Sequence, residues 1–211
     1  RLFTEISKGT NTIGIYNNNK LKNSDNGLAL KLDLLNQNSI KEFVETYKSK
    51  LKNITIIQLA VNSYDGLLAD YPIENVHKTF ELNIFSNISL IQSLLPLMID
   101  QKWGRIIHTS SLVGVEGAVG AGIYASSKSA LIGYSKTLSK EYARFGITSN
   151  ILEMGYFESG LIESFDQKKI NDIILKTSVR RLGNISDIIS AITFIQDCSY
   201  FNGEILRING G

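Results

Sequence analysis

What the chain lacks excludes several classes of protein. It has one cysteine, Cys198, in 211 residues. No internal disulfide can form, and a reducing compartment, the cytoplasm, is the expected setting. Cys198 reads as a small buried hydrophobe near the end of a helix. There are only two histidines, His77 and His108, far apart and without the spacing of metal ligands, so no metal site is expected. The formal net charge is +2 and no run of Lys or Arg occurs, which argues against a nucleic-acid partner. No uninterrupted apolar run approaches a membrane span: the longest, Leu94 to Ile99, is a turn and a half of helix. No signal peptide is recognisable, and no membrane partner is expected. The chain begins at Arg1 rather than Met, inside a helical pattern, Arg1 to Lys8. A true N-terminus further upstream is therefore expected.

What is present is ordinary for a globular domain: 43% hydrophobic and 20% charged residues, enough length for one core, and no repeat or linker. A single domain over residues 1–211 follows. Apolar runs read as strands at Asn11 to Tyr16, Leu28 to Leu32, Ile54 to Ala60, Arg105 to Thr109, Ile147 to Leu152 and Ile205 to Ile208. Helical spacing covers Ser39 to Leu51, with Asn38 or Ser39 as N-cap, and Ala121 to Phe145, closed by Gly146. It also covers Ser186 to Gln196, with Ser186 as N-cap. Pro72 is tolerable in the first turn of a long helix, Pro72 to Ile99, which Pro96 kinks or shortens. Such alternation predicts an α/β fold, a doubly wound, mostly parallel sheet with ligands beyond the C-terminal ends of its strands.

One stretch organises the rest: GRIIHTSSLVGVEGAVGAGIYASSKSA, Gly104 to Ala130. Ser110-Ser111 follow a strand, and Tyr124 and Lys128 lie one helical turn apart. Reduction of a carbonyl needs a proton and a donor for the developing alkoxide. A phenol of reference pKa about 10 becomes a better match when an ammonium stands nearby. Ser111 is thus the positioner, Tyr124 the acid and Lys128 its tuner. The small residues around them permit close approach of a cofactor or a neighbouring helix.

Ser111 in SSLVG, Tyr124 and Lys128 in YASSK, and Asn83 in FELNIF together resemble the short-chain dehydrogenases/reductases. The likeness runs over nearly the whole chain and is greatest to the 3-oxoacyl-[acyl carrier protein] reductase branch. It implies a Rossmann-like fold, with Asn83 at a helix irregularity holding a water of the proton relay. It also implies cofactor contacts from Asp33 after the second strand, from Ala60 and Val61, from Gly155 and Ser159, and from Tyr124 and Lys128.

Two departures bear on the cofactor. The family's first strand and Gly-rich phosphate turn are absent, which implies roughly 25–35 upstream residues, the size of a βα unit. An intact mass near 23.4 kDa would remove that expectation. Where the family has NNAG, this chain has Gln58-Leu59-Ala60-Val61, and Val61 replaces a glycine that admits the cofactor. No acid follows the strand ending at Tyr16, whereas Lys20 and Lys22 lie beyond, so NADP(H) is favoured over NAD(H). The resemblance implies reduction of a 3-oxoacyl thioester, small or carried on an acidic protein that Lys102, Arg105 and Arg144 would meet. It further implies a homo-oligomer, dimer or tetramer. Two other readings stay open: a dehydrogenase of an alcohol, sugar or steroid, decided by the loop Tyr156 to Lys169, and a non-catalytic scaffold subunit.

Overall fold

The computed structural model describes residues 2–18 and 20–211. Arg1 of the expected first helix and Asn19 of the segment after the first strand lie outside the described residues. In chain order the elements are α1 (Leu2–Ile6), β1 (Thr12–Tyr16), β2 (Gly27–Lys31), α2 (Gln37–Tyr47), β3 (Thr55–Gln58), α3 (Ile73–Phe80), α4 (Ser86–Gln101), β4 (Gly104–Ser111), α5 (Val113–Glu116), α6 (Gly122–Tyr142), β5 (Ile147–Met154), α7 (Gln167–Lys176), α8 (Ile185–Asp197) and β6 (Ile205–Ile208). Every strand pair in the two sheets is parallel. The α/β, Rossmann-like architecture is therefore as expected.

β4 and β5 form the spine, paired in register from Gly104 beside Ile147 to Ser111 beside Met154. Alternate residues serve opposite faces. Ile106 packs with Leu90, Leu94 and Met98 of α4 and Leu138 of α6, whereas Ile107 and Leu152 pack under Ile188, Ile192 and Ile195 of α8. The chain enters and leaves these helices through specific caps. Asn36 accepts from the amides of Asn38 and Ser39, two positions before the expected cap of α2. Asn184 and Asp187 exchange side-chain-to-amide bonds of 3.0 Å and start α8 ahead of Ser186. Gly146, at φ 72°, closes the turn after α6 as expected.

The long helix runs past its expected end and carries an irregularity where one was expected, at Asn83. Pro96 lies inside α4, which continues to Gln101. Between α3 and α4 the turn Glu81–Phe85 is a π-helix, one residue wider than the helix on either side. By length and composition Ile73–Gln101 is able to cross a membrane, its most apolar 18-residue window having a mean hydropathy of 1.5. Its Ser, Asn and Gln break up any uninterrupted run, and Leu, Ile and Met outweigh them in that mean. Half of it is buried inside the domain, consistent with a core helix.

The sheet is in two parts. β1 pairs with β2, β3 to β6 pair in that order, and no ladder joins the two groups among the described residues. Both parts nevertheless cover one core: Ile13 and Ile15 of β1 and Leu30 of β2 pack with Ile54, Ile56 and Ile106. A two-stranded sheet is marginal by itself, so side-chain packing alone holds β1 and β2. Hydrogen exchange is expected to find the β4 and β5 amides last to exchange and those of β1 and β2 among the first. Equal protection in both parts would mean that the seam does not persist in solution.

Candidate active site

Ser111 closes β4 and Tyr124 stands in the first turn of α6, with Lys128 one turn further on. The Ser111 hydroxyl stands near the Tyr124 phenol, close enough to hold its pKa down. The serine Oγ accepts from the Val113 amide at 3.3 Å. The Lys128 ammonium is 5.8 Å from the Tyr124 ring centroid. It is 5% exposed and donates to the Thr109 carbonyl at 2.8 Å.

Burial sets the electrostatics. It pushes the Lys128 ammonium down to about 8. It pushes the Tyr124 phenol up, the Ser111 hydroxyl holds it down, and the nearby Tyr156 phenol pushes it up again. The expected lowering of Tyr124 by Lys128 is thus not the governing effect. Lys128 is anchored to a backbone carbonyl, and loss of water dominates at the phenol. Its practical result is a tyrosine that keeps its proton at neutral pH, as an acid must.

Asn83 lies in the π-helical turn and is 1% exposed. Its Oδ1 accepts the Asn62 amide at 2.8 Å, and its Nδ2 donates to the Asn62 carbonyl and to Ser127 Oγ, both at 2.9 Å. Ser127 Oγ in turn donates to the Tyr124 carbonyl at 2.8 Å. Asn83 therefore reaches the residue beside Lys128, not Lys128 itself, and ties α6 to the segment after β3. Asn62, Ser127 and Thr109 escaped sequence reasoning, because a polar residue that bonds to backbone carries no periodic signature. Gly114 escaped it too: a Cβ there would lie 2.8 Å from Lys128 Cβ, so α5 seats on α6 only without one. The small residues of YASSK serve this helix contact.

Beneath the site the sheet is polar. His108 is fully buried, with Nδ1 2.6 Å from Gln58 Oε1 and Nε2 3.1 Å from Ser149 Oγ. An amide oxygen only accepts, so Nδ1 carries the proton and Nε2 accepts the serine hydroxyl. Burial and the Lys128 charge push His108 down to about 3, so it stays neutral. Thr109 Oγ1 donates to the Gln58 carbonyl at 2.5 Å, which locks the end of β3 to the strand that holds Lys128.

The cofactor candidates fall into two groups. Gly155 follows β5 and donates to the Ile208 carbonyl at 3.0 Å; an added Cβ would lie 2.8 Å from Asn209 Cα. Met154, where the family has proline, accepts from the Leu112 amide at 3.2 Å. Ser159 stands in extended backbone just before a short 3-10 turn. Ala60 and Val61 lie beyond the end of β3, and Leu59 and Val61 are exposed. Asp33 stands apart at the end of β2, in the other sheet, where its Oδ1 accepts from the Leu35 amide at 3.0 Å. The structure thus brings Asn83, Ser111, Tyr124, Lys128 and Gly155 to one edge of the four-stranded sheet, and leaves Asp33 across the seam.

Those residues suit the nicotinamide end of a dinucleotide. Lys128 has three donors and one of them is used here, while Gly155 keeps the backbone bare. No Gly-rich turn or cluster of metal-ligating side chains occurs among the described residues. The basic residues expected to meet an acidic carrier are placed differently. Arg105 is 5% exposed, its Nε donating to the Gln196 carbonyl at 2.9 Å at the end of α8. Lys102 and Arg144 are exposed but precede β4 and β5, at the edge opposite Ser111.

Comparison with known proteins agrees with this geometry. A family model described as short chain dehydrogenase matches residues 14–170. The 3-oxoacyl-[acyl-carrier-protein] reductase FabG of Salmonella typhimurium is 31% identical, over 99% of this chain and 89% of that protein. Carbonyl reductase family member 4 of Xenopus laevis is 30% identical, over 87% of this chain and 77% of its own. Among solved structures, a gluconate 5-dehydrogenase from Burkholderia cenocepacia in complex with NADP and tartrate superposes with a TM-score of 0.81. It is 21% identical and covers 88% of this chain and 74% of its own, a likeness of fold.

The buried ammonium makes a prediction about stability. Between pH about 8 and 10.5 the unfolded chain still holds the Lys128 proton and the folded chain does not. Wild-type stability should therefore rise with pH through that window. Lys128→Met should be the more stable protein at pH 7 in urea unfolding, and its advantage should shrink as pH rises to 10. A constant difference would mean that Lys128 is not buried as a cation.

Proposed function

The chain belongs to the short chain dehydrogenase family of NAD(P)-dependent oxidoreductases, and from that premise we propose that it reduces the ketone of an apolar 3-oxoacyl thioester to the 3-hydroxyacyl form. The observation that carries the reading is the convergence of Ser111, at the end of β4, with Tyr124 and Lys128 of α6, the Lys128 ammonium 5.8 Å from the Tyr124 ring. Leu67 and Leu68 before α3, Val115 in α5 and Val119 after it are all exposed, Val119 by 93%. Leu68 packs over Gly122 at the start of α6, and the Gly66 amide donates to the Gly120 carbonyl at 2.9 Å, joining the two loops. Apolar side chains favour a carbon chain over a sugar, whose hydroxyls would lack partners. The names of the reductase relatives point the same way.

In this reading the catalytic residues are Ser111, Tyr124 and Lys128, with Asn83 as positioner. Lys128, Gly155 and Ser159 would hold the nicotinamide, which would supply the hydride when bound. Ser111 Oγ and the Tyr124 hydroxyl both donate to the ketone oxygen. Tyr124 releases its proton to that oxygen as negative charge develops on it. Lys128 stabilises the phenolate left behind. Asn83, through Ser127 and Asn62, keeps α6 at the height that makes this possible.

The adenosine end falls to Asp33, Ala60 and Val61, and the cofactor is NADP(H): the exposed Lys20 and Lys22 after β1 face no acidic neighbour in the preceding strand. Residues 1–211 belong to one domain, whose seam takes a further strand with its phosphate turn. An oligomer, dimer or tetramer, would cover Phe85, 58% exposed beside α4. A cytoplasmic setting suits a chain with one free thiol, and the acyl group arrives free or on a carrier protein.

NADPH oxidation with an acetoacetyl thioester tests the reading. Turnover is expected, and Tyr124→Phe should lower kcat by about 10²–10⁴, the usual weight of a general acid. Turnover unchanged in Tyr124→Phe would sink the assignment. No NADPH binding by the full-length protein would favour a scaffold subunit, the reading to which the exposed Val61 and the split sheet lend support.

A further inference from the structure

Tyr156 stands at the site without a part in the chemistry above. Its backbone is fixed on both sides. The carbonyl accepts the Gly183 amide at 2.9 Å, and the amide of Glu158 donates to the Gly183 carbonyl at 2.9 Å. Phe157 between them packs into the core under α8, against Gly183, where a Cβ would come within 2.4 Å of its ring. In extended backbone the neighbouring side chain faces the other way. Tyr156 is accordingly 40% exposed. Its ring leans on Phe165, with centroids 6.3 Å apart, and the Lys169 ammonium lies 3.5 Å from the Phe165 centroid. These three make an aromatic wall with a cation holding its outer member. At its inner end the wall begins two residues beyond Met154, the registered neighbour of Ser111, at the edge of the sheet where Tyr124 also stands. A solvent-facing tyrosine locked so firmly is unusual for a residue that only fills space.

Ser111 and Tyr124 are both committed to the reacting oxygen. A 3-oxoacyl group carries a second carbonyl oxygen two carbons away, and binding against the protein strips that oxygen of water. Leu68, Val115 and Val119 offer it no donor. We propose that Tyr156 is a specificity-determining residue that donates a hydrogen bond to the second carbonyl of a 1,3-dicarbonyl substrate, while its ring lines the carbon chain between the two carbonyls. The inference rests on the reductase reading and adds a reason for preferring a 3-oxoacyl group to an isolated ketone.

Two soluble probes test it: the acetoacetyl thioester of N-acetylcysteamine, and the monoketone in which a methylene replaces the thioester carbonyl. Tyr156→Phe removes the hydroxyl and keeps the wall. It should lower kcat/KM for the dicarbonyl about tenfold, the weight of one hydrogen bond, and leave the monoketone unchanged. Tyr156→Ala should weaken both. Binding of the dicarbonyl, followed by saturation transfer from the protein's aromatic protons, should weaken by the same factor in Tyr156→Phe. Equal loss on both probes, or none, overturns the proposal and leaves the reductase standing. Tyr156-dependent binding without turnover supports it and removes the reductase reading.

Discussion

Eight residues of β4 lie beside eight of β5, and everything that converges on the site hangs from that ladder. The register places Ser111 against Met154, so the strand carrying the serine ends one residue before Gly155. Thr109, two residues back, takes the Lys128 ammonium with its carbonyl and the Gln58 carbonyl with its hydroxyl. A slip of one residue would send Ser111 to the other face and the Thr109 hydroxyl away from β3. The polar groups set along the ladder, Gln58, His108, Ser135 and Ser149, bond to one another in an otherwise apolar layer. A misregistered sheet would leave them unpaired, at a cost of about 1–3 kcal/mol for each. Their net contribution to stability is small, and their effect on register is large.

The parts legible in the sequence were those written in local pattern. Apolar runs located all six strands, and one helical turn of spacing joined Tyr124 to Lys128. Asn83 drew notice only through the family resemblance, which put it at a helix irregularity, and it does sit where the helix widens. What stayed hidden was long-range. Nothing near Asn62 or Ser127 announces that one amide bridges them. Arg105 reads as a surface cation until the end of α8 is seen to accept its Nε. The loop expected over Tyr156 to Lys169 ends sooner, because Asp166 accepts the Lys169 amide at 2.7 Å and caps α7, a helix with no reading in the sequence.

A buried charge recurs at the sheet's C-terminal edge. Glu153, on β5, is fully buried and lies 2.5 Å from Arg207 Nε on β6, its registered neighbour. No aligned donor satisfies its oxygens. Burying one carboxylate beside a half-exposed guanidinium does more to specify which strand adjoins β5 than to stabilise the pair. Lys128 is its counterpart on α6: a cation retained in the core at a cost, held by the Thr109 carbonyl.

The widened turn at Glu81–Phe85 has a consequence for the whole length of Ile73–Gln101. One additional residue in a helix rotates all that follows by about 100°. The faces that α3 and α4 present are therefore in phase only because of it: Thr79 and Asn83 point toward the segment after β3, while Leu90, Ile91, Leu94 and Met98 reach the sheet. Remove the surplus residue and the two halves of the helix could not both keep their appointments. The turn works as a gear tooth, setting the phase between the part that serves chemistry and the part that serves the core.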